Sequence, residues 1–136
     1  MALARTVIAC TILLTATAAE AAKPDRSYGI WQNPGGSVQV RAEPCGQAMC
    51  GVVVWASDKA IADARKGSDQ PLVGLTLFRD FRKVRDGVWR GRVYVPDIGK
   101  TFSGTITVRG KDRLEGKGCL VGGIGCRSQM WTRLPG

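Results

Sequence analysis

The 136-residue chain contains no histidine, and its 11 acidic residues are dispersed along the sequence. Without histidine it cannot build the Ser-His or Cys-His pairs of nucleophilic catalysis, nor a histidine metal site. Most carboxylates fall at predicted turns or in charged segments, where Asp forms turns or carries solvated charge. A glycosidase needs two carboxylates that face each other across a cleft, and no spacing here indicates such a pair. We therefore expect no enzyme activity, no catalytic residues and no cofactor.

Long apolar runs are missing too, except at the N-terminus. Arg5 gives a positive start, residues 7–19 form an uncharged apolar run, and small residues end it in an A-x-A pattern. This arrangement predicts a secretory signal peptide over residues 1–21, too short for a membrane-spanning helix. Residues 22–136 then have the size of a single domain, with no transmembrane segment after cleavage. The alternative is an apolar segment that stays attached as a membrane anchor.

Negative charge is scarce beside 20 Lys and Arg, which gives a formal net charge of +9 and a pI near 9.8. Such a surplus favours contact with anionic polymers or anionic membrane surfaces. The anions that an exported protein meets are anionic lipids, lipopolysaccharide and acidic glycans, and we expect no nucleic acid partner. The alternative is a secreted protein whose charge only keeps it dispersed. Nothing in the sequence indicates an oligomeric state.

Five cysteines are present, and Cys10 lies within the predicted signal peptide. An even number of cysteines in an exported chain implies disulfides, and the four that remain allow three pairings. We prefer Cys45–Cys50 and Cys119–Cys126, because each pair brackets a short loop that contains glycine. The alternative is a four-thiolate zinc site, whose usual C-x2-4-C spacing fits the interval between Cys119 and Cys126 poorly. We therefore expect two disulfides and no metal.

The clearest β pattern runs from Trp89 to Thr107. Apolar residues alternate on both sides of Pro96-Asp97-Ile98-Gly99, a link typical of a turn. Strict alternation indicates two half-buried strands joined as a hairpin. The residues predicted to face the core are Trp89, Gly91, Val93 and Val95 in the first strand and Phe102, Gly104, Ile106 and Val108 in the second.

Shorter runs with strand patterning occur on both sides of this hairpin. They are Ser37–Arg41, Gly51–Ala56, Leu72–Arg79, Arg113–Cys119 and Ser128–Leu134. Leu72–Arg79 is expected to pair with Val88–Val95, and the charged segment at residues 79–86 can extend or bulge this pair. Asp58 is expected to cap one short helix that extends through Lys66. Roughly eight short strands predict an all-β domain, a small closed or nearly closed antiparallel β-barrel. A β-sandwich is the alternative.

Two short motifs resemble those of the lipocalin-like, or calycin, barrels. Gly29-x-Trp31 is similar to the G-x-W of their first strand. Arg133 is similar to the late arginine that packs over that tryptophan. The resemblance implies a closed barrel. The alternative for these residues is a core tryptophan and a solvated arginine.

Longer motifs carry a second resemblance. They are Cys45-Gly46-Gln47-Ala48-Met49-Cys50-Gly51, Pro71-Leu72-Val73-Gly74-Leu75, Trp89-x-Gly91-x-Val93-Tyr94, Gly99-Lys100-Thr101-Phe102, Gly118-Cys119 and Cys126-Arg127-Ser128-Gln129-x-Trp131-x-Arg133. Together they resemble the domain of unknown function 2147 family, secreted and mostly Gram-negative proteins. Val95 and Phe102 depart from its pattern, which has Asp or Asn and Tyr there. The resemblance implies export to the periplasm or the medium and a β fold, and it implies no activity.

The candidate ligand-binding residues are aromatic and basic groups, because arginine forks bind phosphate or carboxylate. The set is Arg90, Arg92 and Tyr94 on the outward face of the central hairpin, with Trp31, Trp89, Trp131 and Arg133. We hypothesise that the barrel holds an amphipathic or anionic envelope ligand inside, with basic residues at its mouth. Against this, the tryptophans can fill a solid core and the arginines a solvated outer face. The alternative function is a structural or interaction protein that contacts the envelope or another protein through its basic outer surface.

Overall fold

The structure is a computed structural model that describes residues 12–13, 16–18, 23–119 and 125–135. Most of the predicted signal peptide, residues 1–21, lies outside the described residues, and so does the glycine-rich loop at residues 120–124. In the described part of the chain, no helix is long and apolar enough to cross a membrane.

Eight antiparallel strands in the described ranges close into a barrel in chain order. Their bounds are β1 Gly29–Gln32, β2 Val38–Cys45, β3 Ala48–Ala56, β4 Thr76–Arg85, β5 Val88–Val95, β6 Lys100–Val108, β7 Arg113–Cys119 and β8 Arg127–Leu134. Each strand pairs with the next, and β1 also pairs with β8, with Trp31 opposite Arg133. Closure leaves no unpaired edge, which favours the barrel over the sandwich. The all-β barrel prediction is confirmed.

The central hairpin has the predicted position and register. β5 and β6 pair over residues 88–95 and 100–107, with Gly91 opposite Gly104. A 3-10 turn, Pro96–Ile98, joins them, and Gly99 follows it with a φ of 62°. Glycine adopts this left-handed conformation at low cost, which explains why glycine is the last residue of the Pro-Asp-x-Gly link.

The short helix α1 (Asp58–Ala64) begins and ends differently from the prediction. Its cap is Ser57, whose hydroxyl accepts a hydrogen bond of 3.1 Å from the N–H of Ala60. Asp58 is therefore the first helical residue and not the cap, and the last is Ala64 rather than Lys66. Serine and aspartate are similarly good caps, so the sequence could not distinguish two adjacent candidates. In the first turn, Asp58 still favours the helix through its dipole.

The strand before the central hairpin pairs with β5 as predicted, and the charged segment extends and bulges this pair, but the predicted start of the strand was wrong. β4 starts at Thr76 and continues through the charged segment to Arg85, whereas Leu72 to Leu75 form a loop. Leu72 and Leu75 are buried all the same, and the loop is held against β3 by a 2.9 Å bond from the N–H of Val53 to the Leu75 oxygen. Because both leucines are buried although they lie in a loop, their apolar pattern resembles that of a strand.

Core side chains fill one end of the barrel, which we call the closed end. Trp31, Met49, Phe81, Ile106 and Leu114 are fully buried there. The Phe81 ring occupies the space beside Gly91 and Gly104, the inward glycines of the central hairpin. A Cβ added at Gly91 would lie 2.8 Å from the ring, and one added at Gly104 would lie 3.0 Å from it. The missing side chains of these glycines are thus replaced by an aromatic ring, and the closed end is a solid core.

Candidate functional site

The opposite end of the barrel, which we call the open end, is not filled in this way. Gly116 and Gly118 on β7 pair with Gln129 and Arg127 on β8. Among the described residues, the atom nearest to a Cβ added at Gly118 would be the Ser103 oxygen at 4.0 Å, so no described side chain replaces the missing one. The interior therefore remains open along these two strands.

A cavity of about 430 Å³ occupies this space. Its lining is mainly apolar, and the residues that form it are Phe78, Val93, Val95, Ile98, Phe102, Gly116, Lys117, Gly118, Cys119, Gly125, Arg127, Gln129 and Trp131. A second cavity of about 310 Å³ adjoins it beside helix α1. The two cavities share Phe78, Val93, Val95, Gln129 and Trp131. Volumes of this size are typical of small-molecule sites.

The mouth of the cavity combines an exposed apolar residue with polar groups. Ile98, in the turn between β5 and β6, is 55% exposed. Arg127 and Gln129 are exposed although they alternate with the buried Trp131 on the inward face of β8. An inward position that remains exposed indicates an accessible interior. Arg127 places a cation where an anionic group entering the cavity would meet it.

The two disulfides lie at opposite ends of the barrel. Cys45–Cys50 closes the tip of the β2–β3 hairpin at the closed end. Cys119–Cys126 links the end of β7 to the start of β8 at the open end, and Cys119 borders the cavity. Both pairs are those preferred from the sequence. The second one joins Cys119 to Cys126 beside the mouth.

The structure separates the sequence candidates into three groups, the first of which lies at the closed end. Trp31 and Trp89 are buried there, and their Nε1 atoms donate hydrogen bonds of 2.8 Å and 2.6 Å to the oxygen and hydroxyl of Ser27. Arg133 lies over Trp31, with its guanidinium 4.3 Å from the ring centre. These three residues do not touch the cavity.

The second group lies on the outer wall. Arg90 and Arg92 are exposed, and Arg92 forms an ion pair with Asp80. Tyr94 lies under the guanidinium of Arg79, 4.4 Å from its ring centre, and also borders the smaller cavity. Neither Arg90 nor Arg92 is at the mouth, where the hypothesis required a cation.

The third group consists of Trp131. It alone among the seven candidates lines the larger cavity. Sequence reasoning missed Arg127, Gln129 and Gly118. The register of β8 offered a signal for the first two: residues 127, 129 and 131 share one face of a strand. No local sequence signal distinguishes a glycine beside an open space, such as Gly118, from a glycine whose neighbouring space is filled by another side chain.

The charged groups near the smaller cavity form a cluster on α1 and just after its end. Asp63 accepts hydrogen bonds from Lys59 at 2.7 Å and from Lys66 at 2.8 Å. These bonds lower the pKa of Asp63 to about 2, so its carboxylate is ionised at neutral pH. Lys59 is thereby engaged with Asp63, and Arg127 is the better candidate to meet an anion.

A family profile described as "Uncharacterized protein conserved in bacteria (DUF2147)" matches residues 29–133. The chain belongs to the DUF2147 family. The match spans the barrel from the first residue of β1 to the closing strand. No curated protein matches this DUF2147 chain.

Among solved structures, the DUF2147 chain is similar to protein HP1028 of Helicobacter pylori, which is described as belonging to the lipocalin family. The TM-score is 0.61 at 18% identity, over 79% of this chain and 82% of the other. At this identity the similarity shows the fold alone, and it confirms the lipocalin-like barrel. Two disulfides in a bacterial protein are typical of a location outside the cytoplasm.

Proposed function

We propose that this DUF2147 protein is a non-catalytic binding protein of the periplasm or the secreted fraction. It holds the apolar part of an anionic amphiphile in the cavity at the open end, with Arg127 at the head group. The observation that carries this proposal is the unfilled space beside Gly118, in a barrel whose other end is a solid core.

The lining supports a lipid-like ligand over a glycan. Phe78, Val93 and Trp131 offer apolar surface to a hydrocarbon chain, whose transfer from water is favoured by about 25 cal/mol per Å² buried. Gln129 and Arg127 are the polar groups at the mouth, and arginine binds carboxylate or phosphate through paired N–H groups. A ligand with one apolar chain and one anionic head group matches both regions.

A groove of about 480 Å³ on the outside of the barrel is the competing location. It is bordered by residues 70–71, residues 73–76 and Arg79, and its surface is more polar than apolar. It is a surface depression without an enclosed apolar wall. Because most ligand sites are concave and apolar with few polar groups, the interior cavity is the better site.

The test compares a long-chain fatty acid with the uncharged alcohol of the same chain length. Both are titrated into protein isolated from the periplasmic fraction of a bacterial host, with calorimetry and native mass spectrometry as readouts. We expect the fatty acid to bind more tightly. Arg127→Gln should weaken fatty acid binding on the order of tenfold and leave the alcohol unchanged, because a charge-assisted hydrogen bond is lost.

The matched control is Arg113→Gln, which neutralises an exposed arginine on the outer face of β7. It should bind the fatty acid like the wild type. Absence of binding for both compounds would contradict the proposed function. Equal losses in the two arginine variants would show that total charge, and not Arg127, attracts the acid.

A further inference from the structure

Arginines face each other directly across β4 and β5 on the outer wall of the barrel. Arg79 pairs with Arg92, and Arg82 pairs with Arg90. Like charges in directly opposed positions destabilise a sheet. Asp80 lies at a bulge in β4, with a φ of 54°, and compensates Arg92 through an ion pair.

The second pair has no such compensation. In the ranges that the structure describes, no carboxylate lies within ion-pairing distance of Arg82 or Arg90, and both arginines are exposed. The registers continue this line of residues across the wall. Arg90 is opposite Thr105, Thr105 is opposite Lys117, and Lys117 is opposite Ser128.

We call these five residues the outer cationic row: Arg82, Arg90, Thr105, Lys117 and Ser128. The row crosses β4 to β8 at right angles to the strands and contains three cations, two hydroxyls and no carboxylate. At the usual spacing of neighbouring strands, the cations from Arg82 to Lys117 span about 14 Å. Guanidinium, ammonium and hydroxyl groups all donate hydrogen bonds to phosphate oxygens.

We propose that the outer cationic row docks the protein onto an anionic lipid surface through the phosphate groups of the lipids. In a closed barrel of eight strands the outward direction turns by about an eighth of a circle from one strand to the next, so Arg82 and Arg90 face one flat surface together and Lys117 lies further round the wall. The convex wall at the two arginines suits the phosphates of an extended lipid surface rather than a single enclosed anion. Val84, on the same strand as Arg82, is 49% exposed and adds apolar contact to that surface. Bound phosphates would offset the repulsion between Arg82 and Arg90, which the barrel alone leaves uncompensated. Lys117 belongs both to this row and to the lining of the cavity, whereas Arg82 and Arg90 do not border the cavity. Variants at these two arginines therefore test the row alone, and either proposal can fail without the other.

The experiment is co-sedimentation of the periplasmic protein with two kinds of vesicle, phosphatidylcholine alone and phosphatidylcholine mixed with phosphatidylglycerol. We expect binding only to the anionic vesicles, and weaker binding as salt is raised. The double variant Arg82→Gln and Arg90→Gln should lower the partition coefficient by at least tenfold, since each cation near an anionic surface contributes on its own. Its melting temperature should equal or exceed that of the wild type, because a repulsive pair has been removed.

The matched control is the double variant Arg41→Gln and Arg65→Gln, which removes the same charge from exposed positions away from the row. It should sediment with anionic vesicles almost like the wild type. Equal losses in the two double variants would overturn the proposal and leave only net charge as the cause. Equal binding of the wild type to neutral vesicles would overturn it as well. The proposal would also be overturned if the protein failed to bind anionic vesicles but bound an acidic polysaccharide in a way that depends on Arg82. The row would then fit a glycan and not a lipid surface.

Discussion

The guanidinium of Arg133 lies 4.3 Å from the ring centre of Trp31, and its Nη1 donates a 2.7 Å hydrogen bond to the backbone oxygen of Tyr28. Arg133 is on the last strand, and Trp31 is on the first. A further bond to the Arg26 oxygen extends the contact into the segment before β1. One side chain thus joins both strands that close the barrel, at the end opposite the cavity.

Arg133→Ala should lower the melting temperature by roughly 5–10 °C, because the cation–π contact and the hydrogen bonds to backbone oxygens are lost together. Fatty acid affinity should not change, since Arg133 is far from the mouth. Thermal denaturation followed by circular dichroism measures the first effect. Arg113→Ala on the outer face of β7 is the control and should melt like the wild type. An unchanged melting temperature in Arg133→Ala would show that the contact does not seal the barrel.

Acid should weaken the closed end through Asp25. Burial opposes its ionisation, but hydrogen bonds from Lys83 and Ser27 outweigh burial and hold the pKa of Asp25 below its usual 3.8. A carboxyl group whose pKa is lower in the folded than in the unfolded state stabilises the fold at pH values above its unfolded pKa. This contribution is lost as the pH falls through the folded pKa. Asp25→Asn should therefore be less stable than the wild type at neutral pH, and the deficit should shrink below pH 3.8.

Urea denaturation at neutral and acidic pH measures this change, with the exposed Asp69→Asn as the control. A deficit of the same size at both pH values would mean that the Asn variant loses packing and not an ion pair.

The disulfides at opposite ends allow a separation of stability from binding. Replacing Cys119 and Cys126 with Ser should cost about 2 kcal/mol and also weaken fatty acid binding, because this bridge borders the cavity. Replacing Cys45 and Cys50 with Ser should cost a similar amount and leave binding unchanged. Non-reducing peptide mapping should find these two pairs. Equal effects of both replacements on affinity would place the site elsewhere.

Trp131 should report on the ligand by its fluorescence, because it lines the cavity. Titration with fatty acid should change the emission of the wild type. Trp131→Phe should remove most of that change while the fold persists. Trp55→Phe removes a tryptophan that is 44% exposed and should keep the response. A response that disappears in Trp55→Phe instead would indicate binding on the outer wall.

The barrel could be predicted from the sequence wherever the signal was local. Alternating residues on both sides of Pro96 predicted the central hairpin, and the spacing of cysteines predicted both disulfides. The start of β4 was misplaced because Leu72 and Leu75 are buried although they lie in a loop, and the pattern of apolar residues alone does not distinguish such a loop from a strand. A run of buried apolar residues is a strand only when it pairs with another strand, and that strand can be distant in sequence.

The cavity depends on the same kind of distant contact. Gly91 and Gly118 have the same residue type and the same inward position, but Phe81 fills the space beside only the first. That difference is decided by a side chain on another strand. The candidate Trp131 could therefore be found from composition and pattern, whereas its neighbour Arg127 required the register of β8.

The central claim is that the space beside Gly118 receives the ligand, and a side chain placed there tests it most directly. Gly118→Leu should fill the cavity without lowering the melting temperature, since in the described part of the chain its Cβ meets only the Ser103 oxygen, at 4.0 Å. Thr132→Leu places a leucine on the exposed outer face of β8, away from the cavity, and is the control. We expect fatty acid affinity to fall at least tenfold in Gly118→Leu and to stay at the wild-type value in Thr132→Leu. A folded Gly118→Leu protein that binds fatty acid like the wild type would contradict the account.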